Sequence, residues 1–215
     1  MEAKPDLRSM STKKKWEYIW DYYRFHILGS IVLIITAVSI IHHYATIKTS
    51  VLDMIFLNAY PSEEDVTPFD AFLKQQGYDT NEYEVYVTTS LGYTLTENGY
   101  QEDYYTNQGL SAMFTTGELD IFATPPQVLN AFASYGYVSD LRDLFSEEEL
   151  ASFGDIIIYS TLSETGEEFP SAFNLVGNEW FTENGYYDEG CYLSVTNYTN
   201  TPELTKEFIL YVLNY

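Results

Sequence analysis

The sequence has few of the residues that form cross-links, bind transition metals or act as acid–base catalysts. Cys191 is the single cysteine, so no intramolecular disulfide can form and the fold must rely on its core. The three histidines, His26, His42 and His43, all lie in the N-terminal part of the chain, and neither a G-x-S-x-G motif nor a phosphate-binding loop occurs. We therefore predict that the protein is not an enzyme and needs no cofactor.

Positive charge is scarce in most of the chain. Residues 51–215 contain Lys74, Arg142 and Lys206 against 28 acidic residues, which gives a net charge of −25. Such a surface would repel phosphate, so we predict no nucleic-acid partner. It would attract cations diffusely, but no loop has the Asp-x-Asp-x-Asp spacing of a dedicated calcium site. We therefore predict no specific metal.

A long apolar segment is the clearest feature that the sequence does have. From Phe25 to Ile47 there is no Asp, Glu, Lys or Arg, and a helix of this length would span about 34 Å, enough to cross a hydrocarbon core of ~30 Å. We predict a transmembrane anchor over residues 25–47. A buried helix of a soluble domain is the alternative, but such helices usually carry a polar stripe. A cleaved signal peptide would have a shorter apolar region and a small-residue cleavage site.

The charges around this segment predict its orientation. Residues 1–50 carry a net charge of +3, and six of their basic residues precede the apolar segment. Because positive flanks stay on the cytoplasmic side, we predict a cytoplasmic basic and aromatic tail over residues 1–24 and an acidic extracellular domain over residues 48–215 of a single-pass cell-membrane protein. The aromatic residues between Trp16 and Tyr23 suit the headgroup level, and the lipid bilayer is the first predicted partner.

Apolar runs and helix signals alternate along the start of the outer domain. Three runs have the composition of buried strands: Val51–Ala59, Tyr83–Val87 and Leu119–Ala123. Helix signals lie between these runs and after the third, where Thr124 is placed to cap a helix with Pro125 at its first position. This alternation predicts a parallel sheet with right-handed crossovers, and therefore a three-layer α/β domain.

The remaining predicted elements are shorter. We predict a loop with a short hairpin over Leu91–Asn107 and a capping box at Ser146–Glu149. The other predicted elements are strands at Ile156–Tyr159, Ala172–Leu175 and Cys191–Val195, and a last helix capped by Thr201-Pro202. Since Cys191 alternates with Leu193 and Val195, we predict an inert buried thiol.

Several of these segments resemble extracellular solute-binding proteins. The stretch from Gly117 to Ala123, with the helix and Gly136–Leu141 that follow, resembles a lobe wall and turn of that family. Cys191–Val195 followed by Pro202–Ile209 resembles its late strand and helix. The entry Lys14–Tyr23 is similar to anchored members from Clostridia-type, Gram-positive bacteria. The resemblance covers most of residues 50–215 and implies one lobe of a periplasmic-binding-like fold, with at most a reduced second lobe.

Polar residues follow each of the three predicted parallel strands. Asn58 and Tyr60 follow the first, Thr88 and Ser90 the second, and Thr124 the third. Open α/β sheets bind ligands beyond the carboxyl ends of their strands, so we predict that these residues bind a small polar or anionic group. The alternative is that they are ordinary turn residues, chosen for backbone reasons.

Two hypotheses of function follow. In the first, a membrane-tethered solute-binding-like protein presents a small polar ligand to a transporter or sensor. In the second, a ligand-free domain of the same fold is an accessory or protein-interaction subunit of a cell-envelope complex. A deep cleft lined by Asn58, Thr88 and Thr124 favours the first hypothesis, whereas a filled sheet edge and exposed aromatic residues favour the second. Tyr104-Tyr105 and Tyr186-Tyr187 are predicted to lie in polar loops, either as such anchors or as ordinary core and surface.

Overall fold

The computed structural model describes residues 11–60, 67–96, 99–101, 103–117, 119–134 and 136–215. Residues 1–10 of the predicted cytoplasmic tail therefore lie outside the described residues. By their contacts, the residues form two compact units, Met1–Ile47 and Lys48–Tyr215.

The described part of the first unit consists mainly of one long helix, α1, from Thr12 to Thr46. It has 35 residues and a length of about 52 Å, and none of its residues is buried. The prediction of a helix long and apolar enough to cross a membrane is confirmed, and a signal sequence near the N-terminus also meets this criterion of length and composition. The helix begins 13 residues before Phe25, so the aromatic segment from Trp16 to Tyr23 belongs to it.

The second unit contains strands, helices and short 3₁₀ turns. The strands are β1 (Thr49–Phe56), β2 (Tyr83–Thr88), β3 (Thr94–Thr96), β4 (Gly99–Gln101), β5 (Ile121–Thr124), β6 (Ile157–Thr161), β7 (Glu168–Asn174) and β8 (Tyr192–Val195). The α-helices are α2 (Thr67–Gln75), α3 (Tyr104–Thr116), α4 (Pro126–Ser134), α5 (Glu147–Phe153), α6 (Glu179–Glu183) and α7 (Pro202–Leu213). The 3₁₀ turns are Leu141–Asp143 and Gly154–Ile156.

Six of these strands form one mixed sheet, in the order β2-β1-β5-β8-β7-β6. Strand β1 lies parallel to both β2 and β5, which confirms the parallel arrangement predicted for the first three strands. The last three strands are antiparallel to their neighbours. The second unit is therefore a mixed α/β domain, and β3 and β4 form the predicted short hairpin.

Helices pack on both faces of the sheet. Alternate residues of β1 point to opposite faces, as in any strand. Phe56 packs in the same core cluster as Phe72 of α2 and Phe208 of α7. Ile55 packs in a second cluster with Phe114 of α3. The connection that contains α2 therefore lies on one face and α3 lies on the other, so the connections change sides between β1 and β5.

Helix ends confirm some of the predicted capping and correct the rest. The capping box is present: Ser146 N donates to Glu149 Oε2 at 2.8 Å, and Glu149 N donates to Ser146 Oγ at 3.3 Å. The predicted cap at Thr124 is wrong, because α4 begins at Pro126 and the Thr124 hydroxyl has no hydrogen-bond partner. Thr201 does occupy the N-cap position of α7, but its hydroxyl donates to Asp120 instead.

Candidate functional site

Asn58 lies just beyond β1 and is held by a loop that precedes the hairpin. Its backbone has a φ of 57°, a left-handed conformation that asparagine tolerates. Its side-chain amide pairs with both backbone groups of Tyr93: Nδ2 donates to Tyr93 O at 2.7 Å and Oδ1 accepts from Tyr93 N at 2.9 Å. The predicted ligand-binding amide is therefore already engaged in holding the fold together.

Tyr60 is an exposed residue of the predicted site, with 57 % of its surface accessible to solvent. Its hydroxyl donates to Asp188 Oδ2 at 3.1 Å, and this hydrogen bond together with the charge of Asp188 raises the pKa of Tyr60 above its ordinary value. Its backbone N–H donates to Tyr186 O at 2.9 Å. The structure therefore places Tyr60 against the segment that contains residues 186–188.

The other three predicted residues lie at or just beyond the carboxyl ends of the strands either side of β1. Thr88 ends β2 and is half-buried, and Ser90 is exposed beyond it. Thr124 ends β5 and is fully buried, with its hydroxyl unpartnered. Since neighbouring strands lie about 4.8 Å apart, Thr88 and Thr124 are separated by about 10 Å across the sheet. The five residues share one edge of the sheet, but those on β2 and β5 are not adjacent.

Tyr187 fills the point where a ligand would enter between β1 and β5. Its hydroxyl donates to Leu57 O at 2.9 Å and lies 3.3 Å from Ala123 O. Leu57 directly follows β1, and Ala123 belongs to the end of β5. The side chain is only 6 % exposed, and burial raises its pKa well above the ordinary tyrosine value. Because the connections change sides between these two strands, this is the crevice in which an open α/β sheet would bind a ligand.

Tyr186 and Tyr187 lie in the loop between α6 and β8, as predicted, and of the two alternatives for this pair the structure shows ordinary core residues and not partner anchors. Both are buried, and their rings pack in the cluster around Phe56, with the Phe56 and Tyr186 centroids 5.0 Å apart. The acidic and glycine residues after Tyr187 gave a polar local pattern. The neighbouring Trp180 and Phe181 are the local signal that an aromatic core lies nearby.

The chain next to Tyr187 is tightly packed. Gly190 has a φ of 97°, and a Cβ there would overlap the carbonyl oxygen of Leu175. Leu175 N donates to Cys191 O at 2.9 Å, which ties this segment to the sheet. Cys191 is fully buried, as predicted, and burial raises the pKa of its thiol well above the ordinary value.

Asp120, at the opposite edge of the sheet, is a polar centre that has no counterpart among the predicted site residues. It is nearly fully buried, and its carboxylate accepts hydrogen bonds from Asp53 N at 2.9 Å, Thr199 Oγ1 at 2.6 Å and Thr201 Oγ1 at 3.1 Å. These bonds join β1, the start of β5 and the start of α7. All three donors are groups of the protein itself, so we interpret Asp120 as a structural residue that links these elements.

A pair of exposed tyrosines, Tyr104 and Tyr105, stands at the start of α3. They are 70 % and 77 % exposed, with ring centroids 5.7 Å apart in an edge-to-face arrangement. They lie in the first turn of a helix, which corrects their predicted place in a loop. Asp103 caps this helix by accepting from Thr106 N at 2.8 Å.

Hydrogen bonds fix the first turn of α3 to the same sheet edge. Thr106 Oγ1 donates to Gly92 O at 2.8 Å, and the Tyr93 hydroxyl donates to Asn107 Oδ1 at 2.6 Å. Tyr93 is in turn held by Asn58. The tyrosine pair is therefore presented on a rigid support that reaches back to the end of β1.

Two of the domain's basic residues are engaged in ion pairs with acidic neighbours. Arg142 pairs with Asp140, and Lys206 Nζ lies 2.7 Å from Glu149 Oε1. Within the part of the chain that the structure describes, no group of His, Cys, Asp and Glu side chains is arranged to hold a metal ion. The domain surface therefore offers mainly carboxylates, hydroxyls and aromatic rings.

Comparison with known proteins identifies no relative. No family model, no curated protein and no solved structure matches the chain. The resemblance to extracellular solute-binding proteins and the Clostridia-type origin therefore stay predictions.

Proposed function

We propose that the protein is a membrane-tethered interaction subunit of a cell-envelope complex, and that its outer domain is a single periplasmic-binding-like lobe without an open solute cleft. The observation that carries this proposal is the position of Tyr187, whose hydroxyl occupies the β1–β5 crevice. The pairing of the Asn58 amide with Tyr93 supports it, because this amide was predicted to bind a ligand and its hydrogen bonds are made within the fold instead.

The dimensions of α1 support the tether. The rise from Tyr23 to Tyr44 along the helix is about 32 Å, close to the ~30 Å of a hydrocarbon core. Exposed aromatic residues thus stand at both ends of the apolar segment, where interfacial side chains belong. In our proposal Lys13–Lys15 stay on the cytoplasmic side and residues 48–215 lie outside the cell.

The surface chemistry supports a protein partner of opposite charge. Exposed tyrosines are frequent anchors of protein interfaces, because they bury a large area at low entropic cost. Tyr104 and Tyr105 present such a surface on a rigid helix start. With a net charge of −25 over residues 51–215, the domain would associate most readily with a basic surface of an envelope protein.

One specific observation favours the solute-binding hypothesis. The Thr124 hydroxyl is buried without a partner at the carboxyl end of β5, and such a group gains free energy from any hydrogen bond that it acquires. A small polar solute that reached Thr124 would supply this hydrogen bond, and one that displaced the Tyr187 hydroxyl would find the main-chain carbonyls of Leu57 and Ala123. The domain would then present this solute to a transporter or sensor.

A thermal-shift screen separates the two functions. The fragment 48–215 suits the screen, because all the buried hydrophobic residues of the described core belong to it. Against sugars, neutral and acidic amino acids, neutral and acidic peptides, and anions we expect no rise in melting temperature. A solute at 100 times its Kd would add ~2.7 kcal/mol to the stability. A hit that is lost in Thr124→Val, which keeps the shape and removes the hydroxyl, would replace our proposal with the solute-binding function.

A further inference from the structure

A groove lies between the C-terminal ends of α2 and α7, away from the predicted site. Its volume is ≈ 490 Å³, and it is lined by Gln75, Gln76, Glu207, Leu210, Tyr211 and Tyr215. Glu207, Leu210 and Tyr211 follow each other at helical spacing along one side of α7. The groove is therefore built on two packed helices and not on loops.

The electrostatic potential of this groove is negative. Helices α2 and α7 end at Gln75 and Leu213, and each C-terminus carries a partial negative charge of about half an electron. Glu207 adds a full charge in the groove. Glu183 lies at its end, where it accepts a hydrogen bond from the Tyr215 hydroxyl at 3.1 Å and raises the pKa of Tyr215. Lys74, in the last turn of α2, offsets these charges only in part.

The lining of the groove is partly apolar. Leu210 and Tyr211 are half-buried, and the Tyr211 ring packs 5.4 Å from the Phe72 ring, measured between centroids. An apolar wall beside carboxylates suits a long basic side chain, since its methylene stem can pack on Leu210 while its charged end meets Glu207. The tyrosine rings add the attraction between a cation and an aromatic face.

We propose that this groove binds an arginine side chain from a basic segment of a partner protein. Arginine fits better than lysine, because its planar guanidinium can stack on Tyr211 or Tyr215 while it donates to a carboxylate and to helix-end carbonyls. The choice of a basic protein segment follows from charge complementarity, since residues 51–215 carry a net charge of −25. The groove lies on α2 and α7, whereas the tyrosine pair lies on α3, so the two surfaces can be tested separately.

Fluorescence polarisation with a labelled tetra-arginine peptide tests this proposal. The full chain is placed in nanodiscs of zwitterionic phosphatidylcholine, and empty nanodiscs correct for binding to lipid. We expect Glu207→Gln to weaken binding about fivefold, as for loss of a partly shielded ion pair. Leu210→Lys, which places a positive charge in the groove, should abolish specific binding. A tetra-lysine peptide should bind more weakly than tetra-arginine.

A matched variant distinguishes binding of the peptide in the groove from its diffuse attraction to an acidic protein. Glu164→Gln makes the same change of charge at an exposed position after β6, and we expect it to change the Kd less than twofold. Equal weakening by Glu207→Gln and Glu164→Gln would overturn the proposal, as would the absence of binding to the unsubstituted chain at low ionic strength. Unchanged melting temperatures confirm that the variants are folded.

Discussion

Tyr187 has one hydroxyl proton for two carbonyl oxygens, and the shorter contact, 2.9 Å, is to Leu57 O. Ala123 O also accepts from Leu57 N at 2.8 Å, so it keeps a partner if the hydroxyl is removed. Leu57 O is the acceptor that depends on Tyr187. The crevice is filled by the side chain of one residue, Tyr187, so a single substitution can test this role.

We expect Tyr187→Phe to lower the free energy of unfolding by about 1 kcal/mol, because it removes a buried hydrogen bond while keeping the ring in the core. Urea denaturation followed by tryptophan fluorescence measures this change. Tyr60→Phe is the control, since its hydroxyl donates to Asp188 on an exposed side chain and its loss should cost less than about 0.5 kcal/mol. Equal stabilities of the two variants would contradict the role given to Tyr187.

For the residues of the candidate site, the local sequence predicts their position in the fold but not their hydrogen-bond partners. The positions of Asn58, Thr88 and Thr124 at one sheet edge follow from the strand pattern, because parallel strands end at the same edge. The partner of Asn58 is 35 residues away, and that of Tyr187 is 130 residues away. No local pattern encodes such contacts, so the closing of the crevice could not be predicted from the sequence.

At the scale of elements, α5 and α7 are joined through one carboxylate. Glu149 completes the capping box of α5 and receives Lys206 of α7, whose Nζ also lies 4.8 Å from the centre of the Phe145 ring. The hydrogen bond from Lys206, with that from the Ser146 N–H, lowers the pKa of Glu149 to about 2 from an ordinary value of 4.5. The charged form of Glu149 is therefore favoured in the folded state.

This shift predicts a specific pH dependence. A carboxyl with a lowered pKa in the folded state stabilises the fold above its unfolded pKa, and this contribution is lost as the pH falls from 4.5 to about 2. We expect Glu149→Gln to be less stable than the unsubstituted protein at pH 7, with the difference vanishing near pH 2. Glu148→Gln, in the same helical turn, is the control. A difference that persists at pH 2 would show that packing, and not the charge, is responsible.

Elements with strong local signals were predictable, and their arrangement was less so. The capping box and the strands at 49–56, 83–88 and 121–124 follow from caps and apolar runs. The directions of β6, β7 and β8 depend on pairing between distant segments. The start of α3 at Tyr104 was missed, because asparagine, threonine and glycine in that region are weak helix formers. Asp103 three residues before Thr106 was the available capping signal.

At the scale of the whole molecule, the proposed topology places the two ends of α1 on opposite sides of a membrane. Cys191 is buried, so the native chain should not react with a maleimide until it unfolds. We expect an impermeant maleimide to label Ser163→Cys on intact cells and to label Ser11→Cys only after lysis. Both positions are exposed in the structure. Labelling of Ser11→Cys in intact cells would reverse the orientation.

The central claim is that the outer domain binds a protein partner through the exposed tyrosine pair. Photo-cross-linking in intact cells tests it most directly, with Tyr105 replaced by benzoylphenylalanine and Tyr86, an exposed tyrosine on β2, replaced in the control. We expect a discrete cross-linked species from position 105 that is much weaker from position 86. If neither position, or both equally, gives such a species, the tyrosine pair is not an interface and the central claim is contradicted.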